Sequence, residues 1–82
     1  MSQDISPVIA NHVLNFFDSN AGYQPGGFFS AFYELLAKAD AENVARLSEG
    51  FPKQVNAFLL ARKSEEGMNQ LREIARVKLS AI

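Results

Sequence analysis

Apolar residues recur along this chain at three- and four-residue spacing, the period of an α-helix and not of a strand. Ser6-Pro7 marks a first helix: the serine oxygen can cap exposed amides, and proline at the first helical position has no amide hydrogen to leave unpaired. Ile9, Val13, Phe16 and Phe17 then fall on one side, with His12 between them, and the pattern fades near Ser19-Asn20. Residues 21–27, AGYQPGG, read as the main loop, because Pro25 fixes φ while Gly26-Gly27 admit positive φ. A second helix is predicted from about Phe28 to Ala39. Its stripe is Phe28, Phe32, Leu35 and Ala39, flanked by Phe29 and Leu36, with Ser30, Glu34 and Lys38 facing away.

Asp40, with Asn43 three residues on, opens a short third helix whose apolar positions are Ala41, Val44, Ala45 and Leu47. Gly50 is its expected terminating residue beyond the helix, and Phe51 supplies the closing hydrophobic contact. Pro52 starts a fourth helix in which Val55, Phe58, Leu59 and the stem of Arg62 share a face. Ser64-Glu65-Glu66-Gly67 then interrupts the pattern. Glycine marks a break, yet two acids suit the first turn of a helix begun at Ser64, so residues 52–79 read equally as one kinked helix or two. Met68, Leu71, Ala75 and Leu79 line the final segment, with Ile74 beside them.

With no alternating strand pattern, internal repeat or low-complexity tract, the expected fold is all-α. It is a single domain, 1–82, built as a compact bundle or orthogonal array of four to five short helices. A chain of this size buries only about 60% of its unfolded surface, so its core holds about four or five of the rings of Tyr23, Phe28, Phe29, Phe32, Tyr33, Phe51 and Phe58. Cysteine is absent, which excludes disulfides, a thiolate nucleophile and thiolate metal sites, and leaves packing or self-association to supply stability.

Net charge is −1 but unevenly spread: residues 1–45 hold five acids and one base, residues 46–82 four acids and seven bases. The asymmetry fits complementarity between helices or orientation of a partner. The opening MSQDISPVIA lacks the basic region and long apolar run of a secretory signal, and no apolar run approaches the roughly 20 residues that span a bilayer, so the expected compartment is the cytoplasm.

Candidate chemistry is sparse. The GxxxxGK[ST] and GxGxxG phosphate patterns, HExxH and the EF-hand loop are all missing. His12, the sole histidine, has no carboxylate an ideal turn away to orient it, and reads as a boundary residue. The acids Asp40, Glu42, Glu65 and Glu66 sit where helix amides favour them. The expectation is therefore no enzyme, no cofactor, no metal and no small-molecule ligand, with binding to a protein partner or to itself as the preferred function. Tyr23, Phe29 and Tyr33 are the candidate protein interface, since tyrosine at a half-exposed position is a common anchor. The alternative is weak nucleic-acid binding through Arg62, Lys63, Arg72 and Arg76, with Arg46 and Lys53 nearby. Glu65, Glu66 and Glu73 oppose it by repelling phosphate.

Residues 22–58 carry a Pro-Gly-x-Phe loop entering a helix, then Ala-Asp-x-x-Asn, Arg-Leu and Phe-Pro-x-x-Val. The positions are Pro25, Gly26, Phe28, Ala39, Asp40, Asn43, Arg46, Leu47, Phe51, Pro52 and Val55. This stretch resembles a pattern recurrent in small uncharacterised bacterial and phage-encoded helical proteins. Gly27 departs from it, standing where Ser or Thr is expected. The resemblance implies a prokaryotic or phage setting and no catalytic residue.

Overall fold

The computed structural model describes residues 5–80, with side chains described through Arg76. Five helices follow in order: α1 Pro7–Phe17, α2 Gly27–Lys38, α3 Ala41–Gly50, α4 Pro52–Lys63 and α5 Glu65–Ser80. Their starts are fixed by the capping chemistry legible in the sequence. The Ser6 side chain accepts from the Ile9 amide at 3.2 Å, and Asp40 Oδ1 accepts from the Asn43 amide at 2.9 Å. Pro7 and Pro52 occupy first turns, where a missing N–H costs nothing. The cap of α2 is Gly26, which offers no side-chain oxygen.

Helices α1, α4 and α5 pack against one another; α3 leans on α4, and α2 touches α1. The Cα radius of gyration, 12.0 Å, is what a compact chain of this length should have, about 12 Å. Inward-facing residues are Ala10, Val13 and Leu14 of α1, Phe32, Tyr33 and Leu36 of α2, Val55, Ala57, Phe58 and Ala61 of α4, and Leu71 of α5. Leu79, expected on the same face of the last helix, lies outside the described side chains.

Residues 52–79 are two helices. Ser64 alone separates α4 from α5: its hydroxyl accepts from the Gly67 amide at 3.1 Å and its carbonyl from the Met68 amide at 3.3 Å. Gly67 is no breaker. It lies inside the first turn of α5, pressed so closely on the Leu60 carbonyl that an added Cβ would sit 2.6 Å from its carbon.

Three expectations are corrected. Gly50 does not terminate α3 from outside; it is the helix's last residue, and Phe51 serves as both the end of α3 and the cap of α4. Phe51 can do so because its ring is held between Phe29 and Phe32, at 5.8 and 4.9 Å, which turns the chain without a left-handed glycine. On α1 the buried stripe is Ala10, Val13 and Leu14, leaving Phe16 and Phe17 more than a third exposed. On α2 it is Phe32, Tyr33 and Leu36, so Phe28 and Leu35 face outward. Both helices carry an apolar arc wider than a single stripe, so more than one stripe satisfies the helical period, and tertiary packing selects among them.

Loop 18–26 folds back on α1. Asn15 Nδ2 donates to the carbonyls of Ser19 and Ala21, and the Tyr23 amide reaches the Asn11 carbonyl at 3.4 Å. Gly22 makes this approach possible, with φ +58° and an ideal Cβ position 2.9 Å from the Asn11 carbonyl carbon. Gly22→Ala combines left-handed backbone with overlap and should cost about 1–2 kcal/mol or more, read as a lowered urea midpoint.

Candidate functional site: an apolar groove between α2 and α3

The outward rotation of α2 creates the most distinctive surface. Phe28 is 66% exposed and Leu35 55%, the two most exposed large apolar residues of the chain's described part. With Ala31 and Phe32 they form one wall of a groove whose other wall is Leu47 and Phe51, enclosing about 320 Å³. A second basin of about 330 Å³ continues from Leu35 and Leu47 to Ala39, Asn43, Lys38 and Arg46. The groove thus runs from an apolar end to a mixed polar end, where Asp40 accepts from the Asn43 amide and Glu42 pairs with Arg46.

Its walls are set by the aromatic cluster beneath. Phe28 meets Phe29 edge-on at 5.0 Å and Phe51 at 6.0 Å, while Phe29 and Phe32 pack on Phe51 from below. Helix α3 has no buried residue; only Val44, Leu47 and Ser48 are half-covered. At the polar end Arg46 pairs with Glu42 at 2.6 Å, one turn away, both exposed, an arrangement worth about 0.5 kcal/mol at most. Lys38 has no ion-pair partner among the described residues.

The residues singled out by sequence are scattered. Tyr23 is 44% exposed and meets the His12 ring edge-on at 5.2 Å, on the α1 side of the molecule. Phe29 is half-buried under the groove. Tyr33 is 1% exposed, stacked on Phe58 with rings 9° from parallel, and offers no surface to a partner. A half-exposed interface position is the expectation for Tyr33; the rotation of α2 puts it at the centre of the buried face instead.

The basic residues are largely engaged within the fold. The Arg62 guanidinium lies over the Phe58 ring at 5.2 Å from its centroid. Arg72 donates to the Asn69 side-chain carbonyl at 2.7 Å, and Arg76 lies 3.7 Å from the Glu73 carboxylate. Lys63 is exposed at the end of α4, separated only by Ser64 from exposed Glu65 and Glu66. These four bases therefore do not form a surface free of neighbouring acids.

Burial depresses the His12 imidazole below its ordinary value, so the neutral ring is favoured in the fold. Burial also pushes the Tyr33 phenol from 10.0 up to about 12. The folded state then holds its phenolic proton where the unfolded chain releases it. Tyr33's contribution is present below pH 10 and is lost as pH rises from 10 towards 12. Urea midpoints measured across that window should fall less steeply for Tyr33→Phe than for the parent. Equal slopes would contradict this assignment.

Sequence reasoning missed Phe28 and Leu35 as surface residues because it placed them in the core stripe. Among the described residues no group of three or more His, Cys, Asp or Glu is placed to hold a metal ion, and no helix is long and apolar enough to cross a membrane. Comparisons with family models, curated proteins and solved structures give no match to the chain.

Proposed function

We propose that this compact five-helix module is non-enzymatic and binds a protein partner through the α2–α3 groove. The observation that carries this reading is the pair Phe28 and Leu35, more than half exposed beside an apolar trough. Covering the two side chains would recover about 1–2 kcal/mol each at the usual value of apolar burial, which the free molecule forgoes. Large exposed apolar residues gathered in one concavity, as opposed to scattered singly, mark interaction surfaces. The setting proposed with it is the cytoplasm of a prokaryote or a phage-infected cell, on the strength of the pattern in residues 22–58.

Nucleic-acid binding is the weaker reading, because three of its four bases have intramolecular partners and Glu65 and Glu66 lie beside them. Affinity capture separates the two. Leu35→Asp, at an exposed position, should leave stability within about 0.5 kcal/mol of the parent and abolish recovery of the partner. Arg72→Ala should leave recovery unchanged. Retention by Leu35→Asp with loss in Arg72→Ala, accompanied by nuclease sensitivity, would reverse the order.

A further inference from the structure

The two walls of the groove are held to the molecule very unequally. Helix α2 sinks Phe32, Tyr33 and Leu36 into the core, where Tyr33 stacks on Phe58. Helix α3 sinks nothing: of its ten residues, Val44, Leu47 and Ser48 are half-covered and the other seven are exposed. It leans on α4 and reaches the core through Val44 and Leu47. Segments with few buried apolar contacts and solvent-exposed backbone bonds are the ones that open well below the free energy of global unfolding.

The internal chemistry of α3 is weak as well. Ser48 donates to the Ala45 carbonyl at 2.7 Å, a bond that competes with the helical ladder, and Gly50 brings the poorest propensity after proline into the last turn. Ten residues make fewer than three turns, too few for a helix to hold itself in water. Detachment of α3 from α4 and its melting are therefore one event.

Its two ends, by contrast, are anchored. Leu36 is fully buried just before the link to α3, and the Phe51 ring is clamped by Phe29 and Phe32 at 5.8 and 4.9 Å. Opening leaves residues 40–50 as a short tether between fixed points, whose re-closure costs little chain entropy. The Asp40 cap on the Asn43 amide and the Glu42–Arg46 pair lie wholly within that tether, so the signals that rewind the helix travel with it.

We infer that α3 is a closing wall: it leaves α4 and melts as a local unit while α1, α2, α4 and α5 stay folded, and it refolds to shut the groove. Open, it takes Leu47 away from Phe28 and Leu35 and uncovers the floor at Phe32. An occupant that spans both walls holds α3 shut, so the open fraction sets how tightly the groove binds. That use rests on the docking reading above; the motion itself does not.

Native-state hydrogen exchange, followed amide by amide by NMR in the intact chain, tests it. The amides of Leu47, Ser48 and Glu49 in α3 should be protected about 100-fold less than those of Phe58 and Leu59 in α4, and should respond little to low urea. Leu36 of α2 should exchange with the α4 set. Val13→Ala, in the fully buried part of α1, weakens the closed and the α3-open forms equally. It should speed exchange in α4 about tenfold and leave α3 unchanged. Amides of α3 that share the urea dependence of α4 and quicken with Val13→Ala would overturn the inference and leave the groove a rigid docking site. Leu36 opening in step with α3 would overturn it too, since the two walls would then move as one. So would α3 amides with no protection at all, because the groove would have no closed wall. Partner capture with Leu35→Asp is a separate measurement, and its failure leaves these rates untouched.

Discussion

Gly67→Ala should destabilise the fold by about 3 kcal/mol, although helix propensity alone predicts a gain of about 1 kcal/mol for alanine in a helical turn. The sign is decided by position. Gly67 is buried in the first turn of α5, and its added Cβ would overlap the Leu60 carbonyl oxygen and sit 2.6 Å from the carbonyl carbon. That neighbour is helix backbone, which cannot swing aside as a side chain can. Relief requires α5 to move off α4, loosening the contact that buries Leu71 and Ala61. Gly50→Ala is the internal control. It is also helical, but nothing lies within 4 Å of its Cβ position, so alanine there should be neutral or stabilise by up to about 1 kcal/mol. Urea unfolding of the two variants should move the midpoint in opposite directions. A common direction would mean the close approach of α4 and α5 is wrong.

Phe58→Ala should cost about 3–5 kcal/mol, the range for a fully buried aromatic side chain, and be the most damaging truncation in the core. Phe58 is fully buried and joins three helices at once: its ring lies 5.5 and 5.1 Å from Phe16 and Phe17 of α1, and stacks on Tyr33 of α2. It also supports the Arg62 guanidinium. A domain of this length has about 4–12 kcal/mol of total stability, so the variant loses a large share of it. Calorimetry should show a depressed or absent unfolding transition. Leu35→Asp, which removes an equally apolar but exposed side chain, should keep the parent transition, and the contrast tests the rotation assigned to α2.

Helix boundaries were largely legible in the sequence because they rest on local chemistry. Ser6 and Asp40 carry their own side-chain caps within four residues, and Pro52 starts α4 in its first turn as expected, though without a side-chain cap. Which face of a helix is buried was less legible. In α2 the sets 28, 32, 35, 39 and 29, 32, 33, 36 share one period and are both apolar, and the choice depends on where Phe51 and Phe58 stand across the core. The same ambiguity hid the groove, since Phe28 and Leu35 look like core residues until α2 is oriented. Gly67 was ambiguous for another reason: a glycine that ends a helix and one that admits a neighbouring backbone leave the same letter in the sequence. Asn11 and Asn15 fasten the loop to α1 through bonds that only the folded backbone defines.

Helices α4 and α5 meet across a single serine, whereas α1 packs on α5 from far along the chain. Closing so short a link costs little chain entropy, and seating α1 requires closure of about 50 residues. On a ribosome adding about 5–20 residues per second, α1 is made first and waits roughly 3–10 seconds for the helix that completes its burial. During that interval the face of α1 that packs on α5 is uncovered. The domain is therefore most open to misassociation at its beginning, and becomes whole only when its last helix arrives.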